Sequence, residues 1–194
     1  MLQAFLVSTS VVALAEIGDK TQLLSLILAA RYRKPLPIIL GVLTATLANH
    51  AGAGAIGSWL SSALSPNVLN WAVVASFVFM AGWILVPDKL DASEVAVPKD
   101  GLGVYGATVI AFFIAEMGDK TQVATVALAA RFHDFYAVVT GTTLAMLIAN
   151  VPIIYLGQRF ADRLPGTAVH AIACLIFLVL GGFALRNALL QAPL

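Results

Sequence analysis

The chain has 194 residues, 60% of them hydrophobic and only 11% charged, and its 11 basic and 10 acidic residues leave a formal net charge of +1. A soluble domain carries about 25% charged residues, so this composition, with a mean hydropathy of +0.94, reads as an integral membrane protein. It offers no basic cluster for nucleic acid, no cysteine–histidine spacing of a zinc site and no glycine-rich phosphate loop of an ATP-driven pump.

Six apolar segments follow one another, enough for about six spans of roughly 20 residues each. All are expected as helices, because a backbone in lipid must satisfy its own hydrogen bonds. The first runs from Leu2 to Ala30 and ends at the basic turn Arg31-Tyr32-Arg33-Lys34-Pro35. Its opening residues lack the basic region of a cleaved signal, so they are expected to start the first helix. The second segment covers Leu36–Leu60 and is followed by the turn Ser65-Pro66-Asn67; the third covers Val68–Val86. A polar stretch, Asp88 to Asp100, comes next, with Asp88, Asp91, Glu94 and Asp100 set against Lys89 and Lys99. The fourth segment runs from Leu102 to Ala130, the fifth from Phe135 to Gly157 and the sixth from Thr167 to Leu190.

The first and fourth segments carry the same polar heptapeptide. Glu16-Ile17-Gly18-Asp19-Lys20-Thr21-Gln22 returns 100 residues later as Glu116-Met117-Gly118-Asp119-Lys120-Thr121-Gln122. At the same offset Ala15, Leu28, Ala29, Ala30, Arg31, Gly41, Ala45, Leu47 and Gly57 recur as Ala115, Leu128, Ala129, Ala130, Arg131, Gly141, Ala145, Leu147 and Gly157. The chain therefore divides into a three-helix repeat at 1–87, a linker at 88–101 and a second three-helix repeat at 102–194. Three spans per half make the second half enter the membrane from the opposite side. The expected fold is all-α, six transmembrane helices as two inverted three-helix repeats, with a binding site near the midplane. Arg31, Arg33, Lys34, Lys89, Lys99, Arg159 and Arg163 fall on one side of this topology, and only Arg131 and Arg186 on the other. That bias puts the linker in the cytoplasm and both termini outside.

Each charge at the centre of a membrane helix costs roughly 2.5–3.5 kcal/mol on insertion scales, and an ion path is the usual reason for bearing that cost. On a continuous helix Glu16, Asp19 and Lys20 share one face, beside Gln22, and Glu116, Asp119, Lys120 and Gln122 do the same. Inverted symmetry would bring the two patches together. Four ionised carboxylates and two lysines sum to −2, the charge that one divalent cation or two protons would balance, which suits an exchanger. Carboxylate and amide oxygens suit hard ions such as Mg²⁺, Ca²⁺ and Mn²⁺. No thiolate and no histidine lies near either motif in sequence, which argues against a copper or zinc path.

A structural alternative is an ion pair within each motif, Glu16 with Lys20 and Glu116 with Lys120, the favourable order on a helix. It leaves Asp19 and Asp119 without a basic partner in their own motif. Two readings stand for Gly18 and Gly118: a local helix break that turns carbonyls toward an ion, or close helix packing. Thr21, Thr121, Ser25, Thr125, Asn49 and Asn150 are candidate path-lining residues, and Asn49, His50 and Asn150 could add oxygen or nitrogen ligands. Back-bonding to their own helix, for Thr21, Thr121, Ser25 and Thr125, and bonding across helices, for Asn49, His50 and Asn150, are the structural alternatives. Ala48, Gly52, Ala53 and Gly57 read as small-residue packing, Pro152 as a kink, Cys174 as packing, and Trp59, Trp71 and Trp83 as interfacial or packing residues.

The paired Glu-x-Gly-Asp-Lys-Thr motif resembles that of the small bacterial manganese exporters and of their eukaryotic relatives, the Golgi manganese and calcium/proton exchangers. The resemblance covers the whole chain. It implies export of a divalent cation from the cytoplasm, Mn²⁺ first and Ca²⁺ as the alternative, by exchange for protons. It makes Glu16, Asp19, Glu116 and Asp119 the metal-binding groups, extended by Gln22 and Gln122, with Gly18, Lys20, Thr21, Gly118, Lys120 and Thr121 as motif neighbours. The expected setting is a multi-pass protein of the bacterial plasma membrane, whose partners are the cation, protons and the lipid bilayer. No cofactor, no catalytic residue and no nucleic acid is expected. Two other classes compete: an intramembrane aspartyl hydrolase, disfavoured because Lys20 and Lys120 directly follow the aspartates, and an accessory subunit without flux of its own.

Overall fold

The computed structural model describes residues 1–86, 103–156 and 166–190. Every element within them is helical: α1 (Leu2–Glu16), α2 (Lys20–Tyr32), α3 (Pro35–Ala63), α4 (Pro66–Trp83), α5 (Gly103–Glu116), α6 (Lys120–Phe132), α7 (Phe135–Leu156) and α8 (Gly166–Leu190). The linker 88–101, Gly157, Arg159 and Arg163 lie outside the described residues. The first and fourth apolar segments, expected as single helices, are each interrupted inside the motif, giving α1/α2 and α5/α6. Pro152 sits inside α7 without ending it. Among the described residues three helices are long and apolar enough to cross a membrane, Pro35–Ala63, Pro66–Trp83 and Phe135–Tyr155.

Helix starts and stops follow local chemistry. Prolines open α3 and α4, where their missing N–H costs nothing. The α2 and α6 helices end on Arg33 and His133, both left-handed (φ 52° and 53°), each donating its N–H back to Ala29 or Ala129. That cap conformation usually falls to glycine, and its recurrence at positions 33 and 133 shows the repeat extending to backbone dihedrals.

The packing repeats with the halves exchanged. Helix α1 lies on α7, and α5 lies on α3; α2 lies on α7, and α6 on α3. A side chain at Gly41 would strike Thr108 Cβ at 2.6 Å and the Tyr105 carbonyl at 3.1 Å; at Gly141 it would strike the Phe5 carbonyl at 2.8 Å and Ser8 Cβ at 3.3 Å. Residues 5 and 105, 8 and 108, and 41 and 141 are repeat mates, so one close helix contact occurs twice. Helices α4 and α8 pack on each other, and there the mates Phe77 and Phe177 meet, with ring centroids 6.2 Å apart.

Polarity runs inside out. Trp59, Trp71, Val78, Phe79, Leu178 and Phe183 are exposed, whereas Glu16, Glu116, His50 and Asn150 are wholly buried. A water-soluble protein seldom presents so much large apolar surface, and a bundle that keeps its ionisable groups inside is what lipid demands. Cys174 packs against the larger apolar core, as expected. The small-residue reading holds in part: Gly57 is pressed against α6, where a Cβ would collide with the Val126 carbonyl and stand 2.8 Å from Ala129 Cβ, but a Cβ at Gly52 meets nothing within 4 Å.

Gly57→Ala should therefore lower stability by about 1–3 kcal/mol, the usual cost of overpacking, because its neighbours include backbone that cannot step aside. Gly182→Ala, whose Cβ enters open space, should cost nothing measurable. Thermal unfolding of the two variants in detergent, followed side by side, checks this; equal melting temperatures would contradict the close α3–α6 contact.

Candidate functional site

The site is built on the two interruptions. Helix α1 stops at Glu16; Ile17 is extended (φ −67°, ψ 118°), Gly18 turns to φ 84°, and Asp19 is again extended and caps α2. In the second copy Gly118 has φ 75° and Asp119 takes the cap position of α6. A Cβ on Gly118 would meet nothing within 4 Å, so dihedral freedom, not space, requires glycine there. Of the two readings of these glycines, the helix break is the one observed.

The neighbouring glutamines span the break. The Gly18 N–H donates to Gln22 Oε1 at 2.8 Å, and the Gly118 N–H donates to Gln122 Oε1 at 2.7 Å. Gln22 also donates from Nε2 to the Ala149 carbonyl on α7 at 3.2 Å. In this conformation both amide oxygens are committed to backbone. Each motif so presents a helix C-terminus at the glutamate and a helix N-terminus at the aspartate, ends that carry opposite partial charge.

The break also rearranges the charges. Glutamate and lysine no longer share one helix face, the geometry that the alternative of an ion pair within each motif presupposes. Lys20 instead reaches across to the other motif, with Nζ 3.2 Å from Asp119 Oδ1. Lys120 donates to the Val86 carbonyl at 2.8 Å. The motifs thus meet: Glu16 lies within electrostatic reach of Asp19, Glu116 and Asp119. Neither oxygen of Glu16 holds a well-formed hydrogen bond, with the Asn150 amide beside it. Glu116 accepts a long bond, 3.4 Å, from the Thr121 hydroxyl. Among the described residues no three histidine, cysteine, aspartate or glutamate side chains converge closely enough to enclose a metal ion.

The flanking residues divide. Ser25 donates to Asn150 Oδ1 at 2.7 Å, across helices, and Asn150 Nδ2 donates to the Met146 carbonyl at 3.0 Å. Asn49 donates to the Phe113 carbonyl of α5 at 3.1 Å. Thr125 back-bonds to Thr121 of its own helix at 2.7 Å. A cavity of about 300 Å³ opens beside motif two, lined in part by Ala48, Asn49, Gly52, Phe113, Met117 and Gln122. The sequence argument that no histidine stands near a motif is corrected. Packing of α3 on α5 puts His50 Nε2 3.9 Å from Glu116 Oε2, both side chains fully buried. The available signal was that His50 and Asn150 are repeat mates on the helices that face the opposite half's motif.

If Lys20–Asp119 is the link between motifs, its loss should be non-additive. Lys20→Met and Asp119→Asn should each destabilise the protein, and the double variant should lose less than the sum, with a coupling of roughly 0.5–3 kcal/mol. Chemical denaturation of the four proteins in detergent gives that cycle, and additive losses would remove the ion pair as a fastening.

Comparison with known proteins places this geometry. A model of the divalent cation/proton antiporter GDT1 matches the chain twice, over residues 4–92 and 104–192. The chain is 50% identical over 181 residues to a Vibrio cholerae protein named "Putative manganese exporter", covering 93% of this chain and 89% of that one. It is 29% identical to a GDT1-like protein of Synechocystis (91% and 94% covered) and 25% identical to GDT1-like protein 4 of Oryza sativa subsp. indica (96% and 73% covered). No solved structure matches. The doubled motif thus stands in a multi-pass membrane transporter and not an enzyme: the chain belongs to the divalent cation/proton antiporter family GDT1.

Proposed function

We propose that this protein exports Mn²⁺ from the cytoplasm in exchange for protons, by alternating access at a midplane site formed by both motifs. The observation that carries the reading is the meeting of two interrupted helices, one from each half, with Lys20 of one motif on Asp119 of the other. Glu16, Asp19, Glu116 and Asp119 supply the carboxylates of the site. Gln22 and Gln122 join them as ligands in states where their amide oxygens leave Gly18 and Gly118.

The net charge of the site drives the exchange. With two lysines and four carboxylates the cluster is two charges short of neutral, and a buried carboxylate without donors demands a proton or a cation. One divalent cation and two protons satisfy that demand alternately. The Vibrio relative's printed name supports Mn²⁺ as cargo. Ca²⁺ in the same site is the second reading, favoured by the oxygen ligands of both motifs.

In the membrane, α1 with α2 and α5 with α6 each form one broken span, and α3, α4, α7 and α8 complete six. The halves 1–87 and 102–194 are inverted repeats, and the exchanged packing of α1 on α7 and α5 on α3 supports this. The linker 88–101 lies in the cytoplasm and the termini outside, on the bias of basic residues.

Purified protein in proteoliposomes should carry Mn²⁺ down its gradient and accelerate when a pH gradient is imposed against it. Glu16→Gln and Glu116→Gln should each bring flux to the level of empty vesicles while the protein still elutes as a folded species. Flux surviving in either variant would end the shared-site account, and Ca²⁺ outcompeting Mn²⁺ would hand the cargo to the second reading.

A further inference from the structure

His50 is a buried, polar side chain that the motif account does not use. Its ring is fully enclosed between α3 and the end of α5, and neither Nδ1 nor Nε2 makes a hydrogen bond. An unpartnered buried polar group costs about 1–3 kcal/mol, so the position asks for an occupant. The repeat mate shows what a satisfied version looks like. Asn150 accepts from Ser25 and donates to Met146, and both ends of its amide are used. At the corresponding place Thr125, the mate of Ser25, turns to its own helix and bonds Thr121 instead. The counterpart of the Ser25–Asn150 bond is therefore not made.

The ring is aimed at a carboxylate. Nε2 stands 3.9 Å from Glu116 Oε2, too far for a hydrogen bond. Bonds from protein atoms to a metal ion run about 2.0–2.6 Å, so two atoms sharing one ion stand roughly 3–4.5 Å apart. Glu116 Oε1 is also buried without a donor. We infer that His50 is a nitrogen ligand to the transported ion, paired with Glu116, and that it selects first-row transition ions such as Mn²⁺ against Ca²⁺ and Mg²⁺.

The selectivity follows from ligand chemistry. Ca²⁺ and Mg²⁺ take oxygen ligands, and carboxylates alone separate them poorly from Mn²⁺. An imidazole nitrogen adds a bond that first-row transition ions accept. Only one of the two facing positions carries it; position 150 offers an amide. This inference rests on the proposed transport at the paired motifs, and its test is arranged to separate the two.

Mn²⁺ bound to the detergent-solubilised protein can be examined by electron spin-echo envelope modulation, with ¹⁵N-histidine labelling to identify the nitrogen. The wild type should show a directly bound imidazole, and His50→Asn should abolish it although His133 and His170 remain. In proteoliposomes the Mn²⁺ to Ca²⁺ flux ratio should fall by about tenfold or more in His50→Asn, with His50→Gln as the second variant should the first not fold. Bound Mn²⁺ without nitrogen coupling, or a flux ratio within twofold of wild type, would overturn the ligand role and leave the transport reading intact. A wild type that neither binds nor carries Mn²⁺, tested beside Glu116→Gln, would instead overturn transport at the motifs, and the ligand role would fall with it.

Discussion

The structure turns on how charge is held where water is scarce. Glu16 and Glu116 have no exposure at all, and Asp19, Asp119 and Lys120 have very little. A continuous helix would have let each motif neutralise itself with a lysine one turn beyond its glutamate. The break at Gly18 and Gly118 removes that option by placing glutamate at the end of one helix and lysine at the start of the next. Neutralisation then has to come from elsewhere, and for Asp119 it comes from Lys20 in the opposite half. That ion pair joins the two halves at the motifs, so the same contact that neutralises Asp119 also links them.

The apolar packing is consistent with that division of labour. The glycines at 41 and 141 let the first helix of each half approach the third helix of the other, at the same atoms in both copies. The aromatic contact between Phe77 and Phe177 joins mates directly. Close backbone contacts of this kind deform little, because packed interiors switch between discrete arrangements more readily than they stretch. The motif breaks are held by polar contacts instead: the Gly18 and Gly118 N–H groups donate to Gln22 and Gln122, the Asp19 and Asp119 N–H groups donate to the Glu16 and Glu116 carbonyls, and a cavity opens beside Asn49 and Gln122.

Much of this was legible in the sequence. The doubled heptapeptide and its matches at a constant offset reveal two related halves, and the six hydropathic segments reveal a membrane protein. The breaks were not decidable, because one glycine in an apolar run weakens a helix by only about 1 kcal/mol, less than tertiary context can supply or withhold. The glutamines at 22 and 122 tip the balance by capping the interruption, a role that needs the break to exist before it can be read. The alternative of an ion pair within each motif turns on the same point: a spacing of four favours Glu16–Lys20 only if the helix is continuous. The sequence offers His50 as a residue that could supply a nitrogen ligand, but its nearness to Glu116 was not legible, because only the packing of α3 on α5 brings residues 50 and 116 together. Among small residues, sequence could not separate Gly57, which contacts backbone, from Gly52, which faces a cavity.

The departures from repeat symmetry carry information that the matches do not. Two perfectly equivalent halves would give two exchanged conformations of equal energy, each the image of the other. Every non-identical pair of mates at the site tilts that balance, and about 1.4 kcal/mol shifts a population tenfold. Here the differences lie against the motifs. His50 faces Glu116 where Asn150 stands beside Glu16, Thr125 replaces Ser25, and Ala48 and Gly52 border a cavity where the mates are Ile148 and Pro152. Gln22 donates to the Ala149 carbonyl of α7, whereas the mate of Ala149, Asn49, adds a side-chain amide that donates to the Phe113 carbonyl. Gln22 thus ties motif one to α7, whereas Gln122 lines the cavity beside motif two in this conformation. Under the proposed alternating access the two end states would be alike in backbone and unlike in chemistry, so one ion would meet different ligands on the two sides of the membrane.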